Sequence, residues 1–388
     1  MNYPLATPSW DEKELEAIHR VISSGMYSMG KEVFSFEEEF AKFTGSKYSV
    51  MVNSGSSANL IMIGAMFYKK INPWKIGDEV IVPAVSWPTT YYPLYQYGLK
   101  IKFVDIDLET LNFDLLALEK AITPKTRGIL AVNLLGNPNE FDKIHSLIKN
   151  RDITLLEDNC ESLGAKFNNK QAGTFGTMGT YSSFFSHHIS TMEGGLVVTD
   201  DQELHHILLC LRAHGWTRNL PKENLVCGTK SDDFFEESFR FVLPGYNLRP
   251  IEMEGAIGKE QLLKLPQFIK ERRDNALHFQ ELFKNHQKFI IQKEIGESSW
   301  FGFSLVLKPE FNIDRKNIVK VLTENNIESR PIVAGNFAKN EVVKYFNHEI
   351  YGDLKNAQWI DKNGLFVGNN QVDIRSQIDV LASALKKI

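Results

Sequence analysis

The chain has 388 residues, of which 43% are hydrophobic and 24% charged, with a formal net charge of −4. That length accommodates two or three domains with real cores, and the charge balance leaves no basic footprint for nucleic acid. The longest apolar runs, such as LIMIGAMFY at 60–68, are too short to span a bilayer.

The opening MNYPLATPSWDEKE carries neither a basic n-region nor an apolar h-region, and the expectation is a cytoplasmic protein without a membrane partner. Strand patterns then alternate with helical ones. YSVMVNS (48–54) runs into a helix over 57–70; DEVIVPAVS (78–86), KIKFVDID (100–107), RGILAVNLLG (127–136), DITLLEDN (152–159), GTYSSFFS (179–186) and GGLVVTD (194–200) continue the series. Strands interleaved with helices predict an α/β fold with a mainly parallel sheet covered on both faces. Near residue 250 the pattern changes: two helical stretches meet at Pro266, a predicted kink or boundary. The mixed-sign KERRD within them (270–274) reads as a solvated helix face. Beyond lie a strand in SSWFGFSLVL (298–307), a helix over 314–326, a strand over 327–333 and a closing helix. This predicts a large domain over 1–265 and a smaller α+β domain over 266–388.

In open α/β sheets ligands gather beyond the carboxyl ends of the strands, and four features lie there. NSGSSAN (53–59) places Gly55, Ser56 and Ser57 where a strand turns into a helix; helix N-termini attract phosphate, although serine there is also an ordinary cap. VSWPTTYY puts Trp87 straight after a strand, where an indole stacks on a flat ring or simply fills a core. LLEDNCESLGA ends a strongly apolar strand on Asp158, a costly place for a carboxylate without a partner. Finally, SSFFSHHISTMEGG carries His187 and His188. Adjacent side chains diverge, and no ligand spacing surrounds the pair, so a metal site is not expected. Cys160, Cys210 and Cys227 are scattered, which also argues against disulfides and against a four-cysteine cluster. A phosphate cradle, a stacking ring, an acid for a ring nitrogen and a base match pyridoxal phosphate.

With these motifs the chain resembles the pyridoxal-phosphate-dependent DegT/DnrJ/EryC1/StrS nucleotide-sugar aminotransferases, which have the aspartate aminotransferase-like (type I) fold. The likeness extends through SFEEEFAKFTGSKYSVMVNSGSSANL, FVDIDLETLNFD and LPGYNLRPIEMEGAIGKEQL. It implies that Gly55, Ser56, Ser57 and Ser182 bind the cofactor phosphate, that Trp87 stacks on the pyridine and that Asp158 meets its nitrogen. It further implies a homodimer with shared active sites, Asn247 reaching the phosphate from the neighbouring subunit. Glu161 stands where the family usually has an amide near the ring. Tyr27, Met29, His214, Arg218, Arg249 and Arg330 are candidates to meet the nucleotide-sugar substrate or a donor carboxylate.

One position departs from the family. Its aminotransferases keep a lysine five residues after the serine and six before the Glu of EGG; counting from Ser182 and back from Glu193 both give His187, and no lysine occurs from 171 to 221. Such a lysine holds the cofactor aldehyde covalently and moves protons, whereas imidazole does only the second. The pattern is similar to the family's sugar 3-dehydratases. It implies pyridoxamine phosphate, glutamate as amine donor, loss of a sugar C3 hydroxyl with release of ammonia, and a GDP-linked 4-keto-6-deoxy substrate. Lacking four clustered cysteines, the chain is expected to need neither an iron–sulfur cluster nor a reductase partner. An aminotransferase with a substitute base, or a non-catalytic relative, is the alternative.

Overall fold

The computed structural model describes residues 2–386 and 388. Its centre is an eight-stranded sheet. β1 (Tyr48–Val52), β2 (Glu79–Pro83), β3 (Lys100–Val104), β4 (Thr126–Val132) and β5 (Thr154–Asp158) are followed by strands Met178–Ser182, Gly195–Thr199 and His348–Ile350. Across the sheet the order is β1, 195–199, 178–182, β5, β4, β2, β3, 348–350. Every neighbouring pair is parallel except the two made by 195–199. Strands sheltered on both faces read as unbroken apolar runs, and EVIVP of β2 is buried at all five positions.

The strand at 348–350 was not legible in sequence. HEI is short and polar, and it joins the sheet edge because Glu349 meets Lys100 and Lys102 of β3, which also pair with the buried Glu79. The helices follow the expected connections. Helix α1 (Glu12–Ser24) starts on an Asp11 capping box, and both it and α2 (Lys31–Thr44) pack on the long helix Glu252–Phe283. α3 (Gly55–Tyr68) starts on a Ser54 cap and α4 (Pro88–Gln96) on Trp87 with proline in its first turn.

Two expectations are corrected by one helix. The stretches meeting at Pro266 form a single 32-residue helix, Glu252–Phe283, with the proline inside it. Burial on both sides of the proline outweighs the lost hydrogen bond: Ala256, Ile257 and Leu265 pack at one end, Ala276, Phe279 and Phe283 at the other. KERRD is likewise no solvated face throughout. Arg272 is 2% exposed, because it falls on the stripe shared with Leu265, Asn275, Ala276 and Phe279.

The smaller sheet is antiparallel, in the order Phe289–Ile290, Gly302–Leu307, Gly364–Gly368, Ser329–Arg330. The expected division at 265/266 falls inside the long helix. At the other end of the chain Tyr3 pairs with Ile327 and donates its hydroxyl to the Gly368 carbonyl.

Candidate active site

A cavity of about 400 Å³ opens at the carboxyl ends of the parallel strands. Its wall takes Ser54 and Gly55 after β1, Trp87 after β2, Asp158 at the end of β5, Ser182 at the end of its strand, and His187. The sheet topology delivers these side chains to one place, as open α/β sheets do.

The first corner is a cradle. Ser54 caps α3, its hydroxyl accepting from the Ser57 N–H at 3.1 Å, and Ser57 donates to Asn53 at 2.7 Å. Ser56 reaches Thr89 of α4 at 3.1 Å. A Cβ on Gly55 would sit 2.7 Å from the Ser182 Cβ, so only glycine lets the α3 N-terminus approach the strand bearing Ser182. Gly55→Ala is therefore expected to push these groups apart and weaken inorganic-phosphate or cofactor binding at least ~10-fold, by roughly 1–3 kcal/mol of overpacking; spectroscopic cofactor titration reads this directly.

The Asp158 carboxylate is 5% exposed and well supplied. Oδ2 accepts from Asn59 Nδ2 at 2.9 Å and Thr90 Oγ1 at 2.7 Å, while Oδ1 accepts only the Cys160 N–H, at 3.2 Å. Asn59 is itself oriented by Thr180, whose hydroxyl donates to Asn59 Oδ1 at 2.7 Å. Sequence reasoning missed Asn59, Thr90 and Thr180. Asn59 and Thr90 stand in the very motifs quoted, NSGSSAN and VSWPTTYY, but nothing linear joins them to residue 158. Asp158 Oδ1 retains acceptor capacity on the cavity wall, which suits a protonated ring nitrogen.

Glu161 shares that wall. Its Oε2 accepts the Leu135 N–H at 3.0 Å, yet burial, with Asp158 adding to it, raises its pKa to about 7. The folded state thus binds a proton that the unfolded chain releases near the ordinary value of 4.5. Stability accordingly falls as pH rises from there through 7. Glu161→Gln is expected to melt about 2–4 °C higher than the native protein at pH 8, and at the same temperature at pH 4.

The two histidines part company. His187 lines the cavity; its Nδ1 is buried without a partner and its ring packs on Phe301, centroid to centroid 5.2 Å. Burial, reinforced by the Arg272 charge, lowers its pKa to about 4, so the ring is a neutral proton acceptor at ordinary pH. His188 is 1% exposed and its Nε2 bonds the Ser299 carbonyl at 3.2 Å, behind the wall.

Three non-glycine residues with left-handed φ border this region: Leu135 at 53°, Trp300 at 48° and Val333, on the wall itself, at 43°. Each costs of order 1–3 kcal/mol, and such strain concentrates at functional sites. The turns interlock. Phe301 donates its N–H to the Leu135 carbonyl at 3.0 Å, and a Cβ on Gly136 would stand 2.5 Å from the Trp300 nitrogen.

The remaining candidates lie elsewhere. Met29, Arg218, Asn247 and Arg249 line a separate concavity of about 310 Å³. There Arg218 lies 4.1 Å over the Trp216 ring and Arg249 donates to Asn247 at 3.0 Å. Tyr27, His214 and Arg330 are exposed and border neither cavity. Among the described residues no group of three or more His, Cys, Asp or Glu side chains is placed to hold a metal ion. None of the helices described is long and apolar enough to cross a membrane.

The sequence model of the DegT/DnrJ/EryC1/StrS aminotransferase family matches residues 8–371, and the chain belongs to that family. Within it, the GDP-4-keto-6-deoxy-D-mannose 3-dehydratase of Yersinia pseudotuberculosis is 63% identical, covering 100% of this chain and 99% of its own. A solved structure of the E. coli GDP-4-keto-6-deoxy-D-mannose-3-dehydratase with bound hydrated PLP superimposes with a TM-score of 0.98 at 61% identity, over 99% of both chains. Another, of ColD with a histidine changed to lysine and the serine just before it to asparagine, gives 0.97 at 60% identity, over 98% of this chain and 100% of that one.

Proposed function

We propose that the chain is a pyridoxal-phosphate-dependent 3-dehydratase. It removes the C3 hydroxyl of GDP-4-keto-6-deoxy-D-mannose to give GDP-4-keto-3,6-dideoxy-D-mannose, glutamate supplying the amine and ammonia leaving. The observation that carries this reading is the neutral imidazole of His187 on the wall of a cavity otherwise equipped for pyridoxal phosphate. The relatives named above support it at 60–63% identity. Ser186–His187 is the one Ser-His step in this sequence, which favours His187 over His188 as the counterpart of the histidine replaced in ColD.

The residues have separable tasks. The Ser54–Ser57 turn with Ser182 holds a phosphate, Trp87 covers one face of a planar ring, and Asp158 holds the proton on a ring nitrogen. Pyridoxamine phosphate, when bound, supplies an amine for the sugar ketone and a ring that accepts electrons. His187 takes a proton from the carbon next to that amine, and it cannot form the covalent tether a lysine would. Glu161, protonated below about pH 7, offers a donor beside Asp158.

Asn247, Arg249, Arg218 and Met29 are proposed to serve the neighbouring subunit of a homodimer. Their concavity is lined apart from the main cavity; Ile251 of its lining is 47% exposed, and Phe241, which pairs with the lining residue Trp216, is 53% exposed. Tyr27, His214 and Arg330 are assigned to the same shared surface. Mixing His187→Asn and Asn247→Ala chains tests this: two inactive variants are expected to recover about a quarter of native activity, since half the random dimers are mixed and each has one intact site.

The reading is tested by incubating the protein with GDP-4-keto-6-deoxymannose, pyridoxal phosphate and glutamate. Ammonia and a 3,6-dideoxy-4-ketose are expected; an intact 4-amino sugar would overturn it.

A further inference from the structure

Arg272, about two-thirds of the way along the 252–283 helix, has no carboxylate partner among the described residues. Its Nη1 donates to the backbone carbonyls of Asn369, Phe301 and Trp300 at 2.7, 3.2 and 3.5 Å, and its Nε is buried without a partner. The Asn369 amide answers, donating to the carbonyls of Trp300 at 2.8 Å and of Arg272 itself at 3.0 Å. A buried guanidinium lacking a counter-ion is expensive, and carbonyl dipoles solvate its charge without cancelling it. The groups it serves are backbone carbonyls, which a neutral amide donor would satisfy without burying a charge, so hydrogen bonding alone does not account for a cation here.

What the guanidinium grips is the wall behind the histidines. The clamped segment carries Phe301, whose ring packs on His187 at 5.2 Å and on His188 at 5.8 Å, and Ser299, whose carbonyl accepts from His188. The left-handed φ of Trp300 lets the strap turn its carbonyls to Arg272. Other titratable groups face the same region. His188 is the adjacent residue, and Asp158, Glu161 and Glu193 stand on the cavity wall without an ion pair to the ring.

We propose that Arg272 is a positioning residue for the His187 base: it clamps the 299–301 strap against the histidine pair, and it sets a charge with no carboxylate partner among the described residues behind the wall that carries the base. This rests on the dehydratase reading of His187. The lowered pKa of His187, for which burial is the larger cause and Arg272 the second, agrees with it. A base that must be empty when substrate arrives gains from a nearby cation with no exchangeable role of its own. The same cation also discourages the imidazole from retaining its proton after transfer, favouring its onward delivery.

The test is a histidine titration of the cofactor-loaded protein, which needs no turnover. Carbon-13 labelling of the ten histidines, with His187→Asn to assign the resonance, follows the ring of His187 against pH. Arg272→Gln keeps amide donors for the carbonyls but no charge; Arg272→Lys keeps the charge but not the three-way grip. In Arg272→Gln the His187 midpoint is expected to rise by about one unit, a tenfold change in proton affinity, and the acid limb of kcat/KM to rise with it. Arg272→Lys is expected to hold the midpoint near its native value while lowering kcat. An unchanged midpoint in Arg272→Gln, with kcat alone reduced, would overturn the proposal in favour of a purely structural arginine. Should Arg272→Gln not fold, a midpoint in Arg272→Lys that rises to the ordinary histidine value overturns it as well. A failed dehydratase assay with the titration as expected would instead count against the function proposed for the site.

Discussion

His187→Asn is expected to abolish ammonia release, by about 10²–10⁴-fold, the usual worth of a general acid–base group, while circular dichroism and melting remain native. His188→Asn is expected to do the opposite. The second histidine is buried and bonded to the Ser299 carbonyl, so its loss costs about 1–3 kcal/mol of stability and leaves much of the turnover in place. The contrast follows from geometry: His187 borders the cavity and its buried Nδ1 has no partner among the described residues, whereas His188 supports the wall from behind. Measured together, the rates and melting curves of the two variants separate a chemical role from a supporting one. Equal loss of rate in both, with equal loss of stability, would refute the assignment.

Asp158→Asn carries the second large effect. The amide is of the same size, and its oxygen still accepts from Asn59 and Thr90, so the fold is expected to survive. The group turned to the cavity is then an NH2, which cannot accept from a protonated ring nitrogen. Losing one charge-assisted hydrogen bond is worth about 1.5–3 kcal/mol. Cofactor affinity should therefore drop about 10–100-fold, read by absorbance titration, and ammonia release at saturating cofactor should drop further. The further drop is the informative part, because an unprotonated ring accepts electrons poorly whatever its affinity.

These residues differ in how far they were legible beforehand. Asp158 announces itself in the chain, since a carboxylate closing an apolar strand needs a partner. Its donors do not: Asn59 is 99 residues away and Thr90 is 68. Arg272 misleads outright. KERRD looks like water-facing helix, and only the packing of the long helix between the strap at 299–301 and Asn369 turns one of its arginines inward. The helix boundary expected at Pro266 fails for a related reason, local preference being overruled by cores on both sides of the residue. The edge strand at 348–350 depends on lysines of β3 that its own three residues cannot reveal.

The sequence by itself determined the alternation of strands and helices, the family, the cradle glycine and serines, and the histidine at the lysine position. Each is local in the chain: periodicity, a motif of a few residues, or a fixed count between landmarks. The tertiary structure alone decided what His188 does behind the wall, what holds Asp158, why Glu161 holds a proton up to about pH 7, and that a buried cation stands behind the base. Those properties come from burial and from distances between residues far apart in sequence, and neither is written in any single stretch of it.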